Sequence, residues 1–458
     1  MSVLTQPIES VRQDISPAES FAVTRQHEVG LSRMLRAHLS VGLAFMLLPG
    51  TFLGVLNLFS LSGHSHPSAS WMQAHGHAQI FGWVATFILG IGFYSIPKLR
   101  GAGNIELSKP WAALALWSAG VSLRWITNVY EWHWRELSPL SATLELAAFL
   151  IFFMSVSGHK SERPPDGKKP RMAAWTLVVM VGTIAFLAAT VANVCGTIVT
   201  SLHEPSPAFA HAFDQKFLVL LAWGFLAITV LGFAARWIPT FIGLPAPRDR
   251  FLLAATLLNI LGVTCAWFAL FRTASVLIFA AAVIACFSLR IFERAVQAAK
   301  TNGVHASLPV FLRSTFGWLI VAASLGIWAA FDGDKSGGLG GASRHALTVG
   351  FVSLMIFGVG QRVLPAFSGM KLLFSKTVMF WSMLLASVGC TLRVVSEVLA
   401  YPEYVPAAWH VLPVSAVIEL TGFTLFAINL FVSVTRAQES TPAKLYSISA
   451  KNSSSSFA

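Results

Sequence analysis

The chain has 458 residues, of which 55% are hydrophobic and 11% are charged, whereas a soluble domain carries about 25% charged residues. This composition, with a mean hydropathy of +0.67, excludes a soluble enzyme and a disordered or fibrous chain. The net charge of +12 would suggest a nucleic-acid partner in a soluble protein. Here we attribute it to basic loops beside a membrane, and we expect a lipid bilayer and no nucleic acid as partner.

Twelve apolar segments are each long enough to cross a bilayer core about 30 Å thick. They predict an all-α polytopic membrane protein with twelve transmembrane helices. The seventh and eighth segments are divided only at Arg272-Thr273. The predicted spans are 37–60, 72–97, 110–130, 139–157, 173–200, 208–240, 251–271, 273–295, 311–331, 343–367, 377–400 and 408–435.

The loops between these spans predict the orientation of the chain. With a cytoplasmic N-terminus, 18 Lys and Arg residues fall in inner segments and 4 in outer loops, which is the bias that the positive-inside rule describes. Both termini are then cytoplasmic, as an even number of spans requires. We divide the chain into a cytoplasmic N-terminal segment (1–36), the transmembrane domain (37–436) and a Ser-rich cytoplasmic tail (437–458) that we expect to be disordered.

Spans 2 and 10 resemble each other in sequence. His77 precedes Pro97 by 20 residues, and His345 precedes Pro365 by the same distance. A weaker middle copy, "RWIPTFIG", surrounds Pro239 in span 6. A pattern that recurs every four spans predicts that the twelve helices form three four-helix units.

The repeat also contains ionisable residues at membrane depth, which are functional candidates by default because burying them is costly. Arg124 follows the first repeat proline by 27 residues, and Arg393 follows the last by 28. Glu145 in "SATLELAAFLIFF" aligns with Glu419 in "SAVIELTGFTLFA". Two interpretations remain open: the arginines form structural pairs, Arg124 with Glu145 and Arg393 with Glu419, or they hold anionic groups such as heme propionates near the outer face.

Nine of the thirteen histidines fall at or near the outer ends of spans. Imidazole is a common ligand of heme iron and copper. Equal spacing to the prolines places His77 and His345 at one depth, and we therefore expect them to be the axial ligands of one heme b. Residues two apart on a helix point about 200° apart, so His75 and His77 cannot both face one pocket within a helix. His75 could replace His77 as the ligand, and His211 could serve a second metal such as copper.

Several motifs are absent from the sequence. It has no GxxxxGK[ST] loop, no GxGxxG motif, no CxxCH heme attachment and no HExxH, and its four cysteines form no CxxC pair. These absences exclude ATP-driven transport, nicotinamide chemistry, covalent heme and zinc proteolysis. A small-molecule transporter remains an alternative, although transporters generally have polar residues near the bilayer midplane, whereas here they lie toward the outer edge.

The segments "WMQAHGHAQIFGWVATFILGIGFYSIPKLRG" and "RHALTVGFVSLMIFGVGQRVLPAFSG" resemble the NnrS family. These are polytopic bacterial membrane proteins reported to contain heme and copper and associated with the nitric oxide response. The second span of the family opens with His-x-His and ends with Pro, which His75, His77 and Pro97 match; residues 345–350 match the tenth-span pattern. The resemblance implies the bacterial inner membrane, nitrosative stress, nitric oxide as ligand, and a redox partner such as a quinone or cytochrome.

Twelve spans in three units also look like subunit I of heme-copper oxidases and nitric oxide reductases. Those enzymes have one His in span 6, two in span 7 and two in span 10. Here span 7 has none, span 10 has one, and span 6 has only His211 at its edge. We therefore predict a similar architecture without the binuclear reaction site. A catalytic relative of these enzymes remains an alternative, and whether the chain is an enzyme stays open.

Overall fold

The computed structural model describes residues 17–63, 65, 67–99, 105–157, 172–333, 337–368 and 372–436. These residues form twelve long helices and no strand, which confirms the predicted all-α polytopic fold. The expected disordered tail, 437–458, lies outside the described residues. In chain order the helices are α1 (17–62), α2 (69–99), α3 (Ser108–Tyr130), α4 (Trp134–Ser157), α5 (Ala174–His203), α6 (His211–Ile242), α7 (Asp249–Trp267), α8 (Phe271–Leu289), α9 (Leu308–Asp332), α10 (Gly338–Phe367), α11 (Lys376–Ala400) and α12 (Ala408–Thr435).

Eleven of these described helices are long and apolar enough to cross a membrane. The remaining one, α3, has 23 residues, which is sufficient length at 1.5 Å per residue, but Lys109 and Arg124 make it less apolar. Two predicted boundaries were wrong. The turn between α7 and α8 lies at residues 268–270, and α8 ends at Leu289 rather than 295 because Arg290 adopts a left-handed backbone conformation with φ 58°.

The three four-helix units are visible in the backbone. Each of α2, α6 and α10 contains an eight-residue π-helical segment. Each segment begins 19 residues before the repeat proline of its helix, so the middle copy keeps the register of the other two. Such segments are rare in helices and often mark functional positions. These three segments are Ala78–Ala85, Leu220–Ala227 and Ala346–Ser353. A fourth, seven-residue π-helical segment, Met46–Phe52, lies in α1 and has no counterpart in the repeat.

The same three helices form the interior of the bundle. In their most apolar stretches, 83%, 72% and 67% of the residues of α2, α6 and α10 are buried, against 33–50% in the other membrane-spanning helices. A glycine lies in each π-helical segment, and two of these glycines permit close helix contact. A Cβ at Gly82 would lie 2.8 Å from Phe45 Cβ, and one at Gly350 would lie 2.5 Å from Trp318 Cγ.

Because alternate helices run in the same direction, the even-numbered helices all start at one end of the bundle. We call this the His end, since the starts of α2 and α10 carry His75, His77 and His345. The opposite end, where α2, α6 and α10 finish after Pro97, Pro239 and Pro365, is the Pro end.

Candidate functional site

The start of α2 sets the directions of the first two histidines. Ser68 caps the helix by accepting a hydrogen bond from the Trp71 backbone N–H at 3.3 Å. Since the helix begins at Ala69, both His75 and His77 lie inside it and point in different directions. They therefore belong to two separate groups of polar side chains.

His75 lies against α1. Its Nδ1 is 2.9 Å from the Gly50 carbonyl oxygen, so that Nδ1 carries the proton and donates, which leaves Nε2 with its lone pair. Gly54 makes room for the ring, because a Cβ at that position would lie 2.6 Å from His75 Cε1. His345 and Arg393 lie within electrostatic range of the His75 imidazole.

His345 has the same arrangement of its two nitrogens. Its Nδ1 donates to the Gly341 carbonyl oxygen at 3.1 Å and lies 3.3 Å from Glu397 Oε2. The Nε2 atom therefore keeps its lone pair. On α11, Arg393 Nη2 donates to Glu397 Oε1 at 2.9 Å. The carboxylate of Glu397, only 3% exposed, thus lies between the guanidinium and the imidazole.

His77 lies in the second group of side chains. Its Nε2 is 2.7 Å from Glu145 Oε1, and its ring stacks on Phe81 with centroids 4.3 Å apart. Asn193 on α5 donates to the other oxygen, Oε2, at 2.9 Å. The fully buried carboxylate of Glu145 thus receives hydrogen bonds from two helices and fixes the His77 ring.

Both membrane-depth arginines retain unpaired donors. Arg124 is only 2% exposed, and its guanidinium lies over the Phe209 ring, 4.5 Å from the centroid. Among the described residues, Nε and Nη1 of Arg124 and of Arg393 have no hydrogen-bond partner. A buried donor without a partner costs about 1–3 kcal/mol, so four such donors at one end of a bundle favour an anionic ligand there.

The structural pairs suggested by the repeat were wrong as direct hydrogen bonds. Neither Arg124 with Glu145 nor Arg393 with Glu419 is hydrogen bonded in the described part of the chain; Arg124 has Glu145 and Asp214 only within electrostatic range. The glutamates instead pack against glycines four residues before each arginine. A Cβ at Gly120 would lie 2.7 Å from Glu145 Cγ, and a Cβ at Gly389 would lie 2.5 Å from Glu419 Cγ.

His211 lies apart from the other candidate ligands. It is the exposed first residue of α6 and lies within electrostatic range of Asp214. The residue that precedes Pro239 by 20 positions, equivalent to His77 and His345, is Val219. Within the described residues, no group of three or more His, Cys, Asp or Glu side chains could hold a metal ion.

The sequence did not identify two residues of this site, the acceptor Glu397 and the donor Asn193. Glu397 follows Arg393 by four residues, a spacing that brings side chains together on a helix and could have identified the pair. Asn193 lies in an apolar helix with no partner nearby in sequence, so no local pattern predicts its contact with Glu145.

Comparison with known proteins places the chain among polytopic membrane proteins. The family model described as "NnrS protein" matches residues 36–437. A structure of a heme-copper terminal oxidase dimer is similar in fold, with a TM-score of 0.70 and 14% sequence identity over 89% of this chain and 84% of that chain. No curated protein sequence matches the chain.

Proposed function

Since the chain belongs to the NnrS family, we propose that it is a heme-binding integral membrane protein in which His75 and His345 ligate one heme b. The observation that carries this proposal is the matched state of the two imidazoles. Each Nδ1 is held by a backbone carbonyl, of Gly50 or Gly341. Metal-binding histidines generally have this arrangement, which orients the ring and leaves Nε2 for the metal.

The choice of His75 over His77 is supported by hydrogen bonding. His77 Nε2 is already bonded to Glu145, and a second donor, from Asn193, holds that carboxylate in place. Using His77 as a ligand through Nε2 would break the contact with a buried carboxylate. His77 is better explained as a structural residue that is hydrogen-bonded to Glu145.

The anchoring of the heme propionates is assigned to the two buried arginines. Arg393 has two unpaired N–H donors and is held in position by Glu397. Arg124 has two more and no hydrogen-bonded carboxylate within the described residues. Guanidinium groups bind carboxylates through paired N–H donors, so these side chains fit the anionic edge of a heme.

Held by His75 and His345, the heme would supply one-electron transfer or the binding of nitric oxide. The residues of the chain would orient both imidazoles through the Gly50 and Gly341 carbonyls and hold the propionates through Arg124 and Arg393. A quinone or a cytochrome would exchange the electron. Membership of the NnrS family supports a role in the nitrosative stress response, with nitric oxide as the ligand. Binding of copper would require ligands other than the side chains described above.

Histidine variants test the ligand assignment. We expect His75→Ala and His345→Ala each to reduce bound heme or to convert its reduced spectrum from six- to five-coordinate. His77→Ala is the matched control on the same helix, and it should retain a six-coordinate heme. Loss of heme in the control, with retention in His75→Ala, would show that His77 is the ligand. A purified wild-type protein without a Soret band would refute heme binding and favour transport.

We also propose that the His end faces the periplasm of the bacterial inner membrane and that both termini are cytoplasmic, on the basis of the Lys and Arg distribution. Reporter fusions after Lys168 and Lys335 should report the cytoplasm and the periplasm, respectively. Signals from the same side would contradict this topology.

A further inference from the structure

A cavity of about 160 Å³ opens at the Pro end of the bundle, opposite the histidines. One water molecule requires ~10–15 Å³ by the same measure, so the cavity is large enough for a small polyatomic group. It lies between the last turn of α10 and the loops that precede α9 and α11. Arg362 supplies its charge, and its apolar walls include Val304, Pro365, Leu372 and Leu373.

Arg362 is the charged residue in this cavity, and none of the eight residues that line it is acidic. Its buried Nε has no hydrogen-bond partner among the described residues. The guanidinium carbon lies 5.9 Å from the centroid of the Phe241 ring. Gln361, also in the lining, donates to the Phe357 carbonyl and accepts from the Asn429 amide, and as a neutral side chain it does not balance the charge of Arg362.

Three other basic side chains at the Pro end are paired with carboxylates. Lys98 pairs with Glu28 at 2.6 Å, and Arg248 and Arg290 pair with Glu293 at 3.0 and 2.7 Å. Arg362 differs from these three residues because it lines a cavity that has no acidic residue in its wall.

We propose that this cavity binds a phosphate group, with Arg362 as its principal donor. A guanidinium binds phosphate through parallel charge-assisted hydrogen bonds, and basic pockets between transmembrane helices are established sites for phospholipid head groups. The phosphate belongs either to an anionic lipid, whose chains would leave past Leu372 and Leu373, or to a soluble phosphate ester.

The chain contains a matched control for this arginine. Arg236 precedes Pro239 by three residues, just as Arg362 precedes Pro365, but Arg236 is exposed and does not line the cavity. Arg236→Gln and Arg362→Gln therefore remove the same charge at equivalent positions of two repeated helices. Ala366→Leu provides a third variant, which keeps the arginine and fills part of the cavity.

The experiment uses the full-length protein, purified in neutral detergent and depleted of lipid, with binding measured by native mass spectrometry. Phosphatidylglycerol is the probe, and diacylglycerol, which lacks the phosphate, is the control lipid. We expect wild type and Arg236→Gln to retain one phosphatidylglycerol in preference to diacylglycerol. Arg362→Gln and Ala366→Leu should each bind it at least tenfold more weakly.

Competition with millimolar inorganic phosphate distinguishes the two sources, and both results support the proposal. Displacement of the lipid identifies a site for soluble phosphate, whereas its persistence identifies a lipid site. Equal binding of the two lipids by wild type, or equal weakening in Arg236→Gln and Arg362→Gln, would overturn the proposal. If Arg362→Gln does not fold, unchanged binding of phosphatidylglycerol by Ala366→Leu would also overturn the proposal.

Discussion

Glu145→Gln is the most informative single substitution for the architecture of the His end. The change keeps the size of the side chain and an acceptor for Asn193, but it removes the negative charge. His77 Nε2, 2.7 Å from the carboxylate, then faces an amide, and the buried Arg124 loses an anion within electrostatic range.

The expected decrease in the free energy of unfolding follows from these contacts. A hydrogen bond to a charged group contributes about 1.5–3 kcal/mol, and the buried Arg124 guanidinium also loses its attraction to the Glu145 carboxylate. Since Gln preserves the contact with Asn193, we expect the free energy of unfolding to fall by about 3 kcal/mol. The loss should be independent of heme, because it arises from contacts within the chain.

The assay is reversible unfolding in mixed micelles, followed by the fluorescence of the fifteen tryptophans. Glu136→Gln is the control, since it makes the same chemical change at an exposed position of the same helix and should alter the free energy by less than about 0.5 kcal/mol. Equal effects of the two substitutions would refute the argument that the buried Glu145 carboxylate stabilises the side chains of His77 and Arg124.

Further predictions concern the His75 ring and the loop at the Pro end. Gly54→Ala should displace the ring of His75, whose Cε1 would lie 2.6 Å from the added carbon, and lower bound heme, whereas Gly76→Ala, with no atom within 4 Å, should leave heme content unchanged. The pKa of Glu293, outside the membrane, is lowered chiefly by its hydrogen bond from Arg290. Its contribution to stability is therefore present above the ordinary pKa of glutamate and is lost as the pH falls through the lowered value; Glu293→Gln should remove this acid-dependent component from thermal melts between pH 6 and 3.

The twelve helices could be predicted because a bilayer allows few solutions. A chain that crosses hydrocarbon must satisfy its backbone internally, and length with hydropathy then defines each helix. Helix ends depend on local backbone conformation instead. Hydropathy alone predicts that α8 continues to 295, but the left-handed Arg290 ends the helix at Leu289.

The repeat located the candidate site, but it did not predict which side chains of the site contact each other. Equal spacing identified His345 and Arg393 as equivalents of His77 and Arg124, and helical periodicity showed that His75 and His77 must diverge. Which of those two faces α10 depends on the rotation of α2 about its axis. That rotation is set by tertiary contacts, such as the approach of Gly54 to His75, and no local pattern encodes them.

The two outer units differ at one position that explains why their arginines behave differently. Four residues after Arg393 stands Glu397, which bonds to it; four residues after Arg124 stands Asn128, whose amide donates instead to the Ser70 carbonyl at 3.3 Å. The last unit thus neutralises its arginine within one helix and brings the carboxylate to His345. The first unit uses its carboxylate, Glu145, on His77. One repeated framework therefore leaves His345 within electrostatic range of His75 and bonds His77 to Glu145. Both units retain guanidinium donors without a hydrogen-bond partner among the described residues.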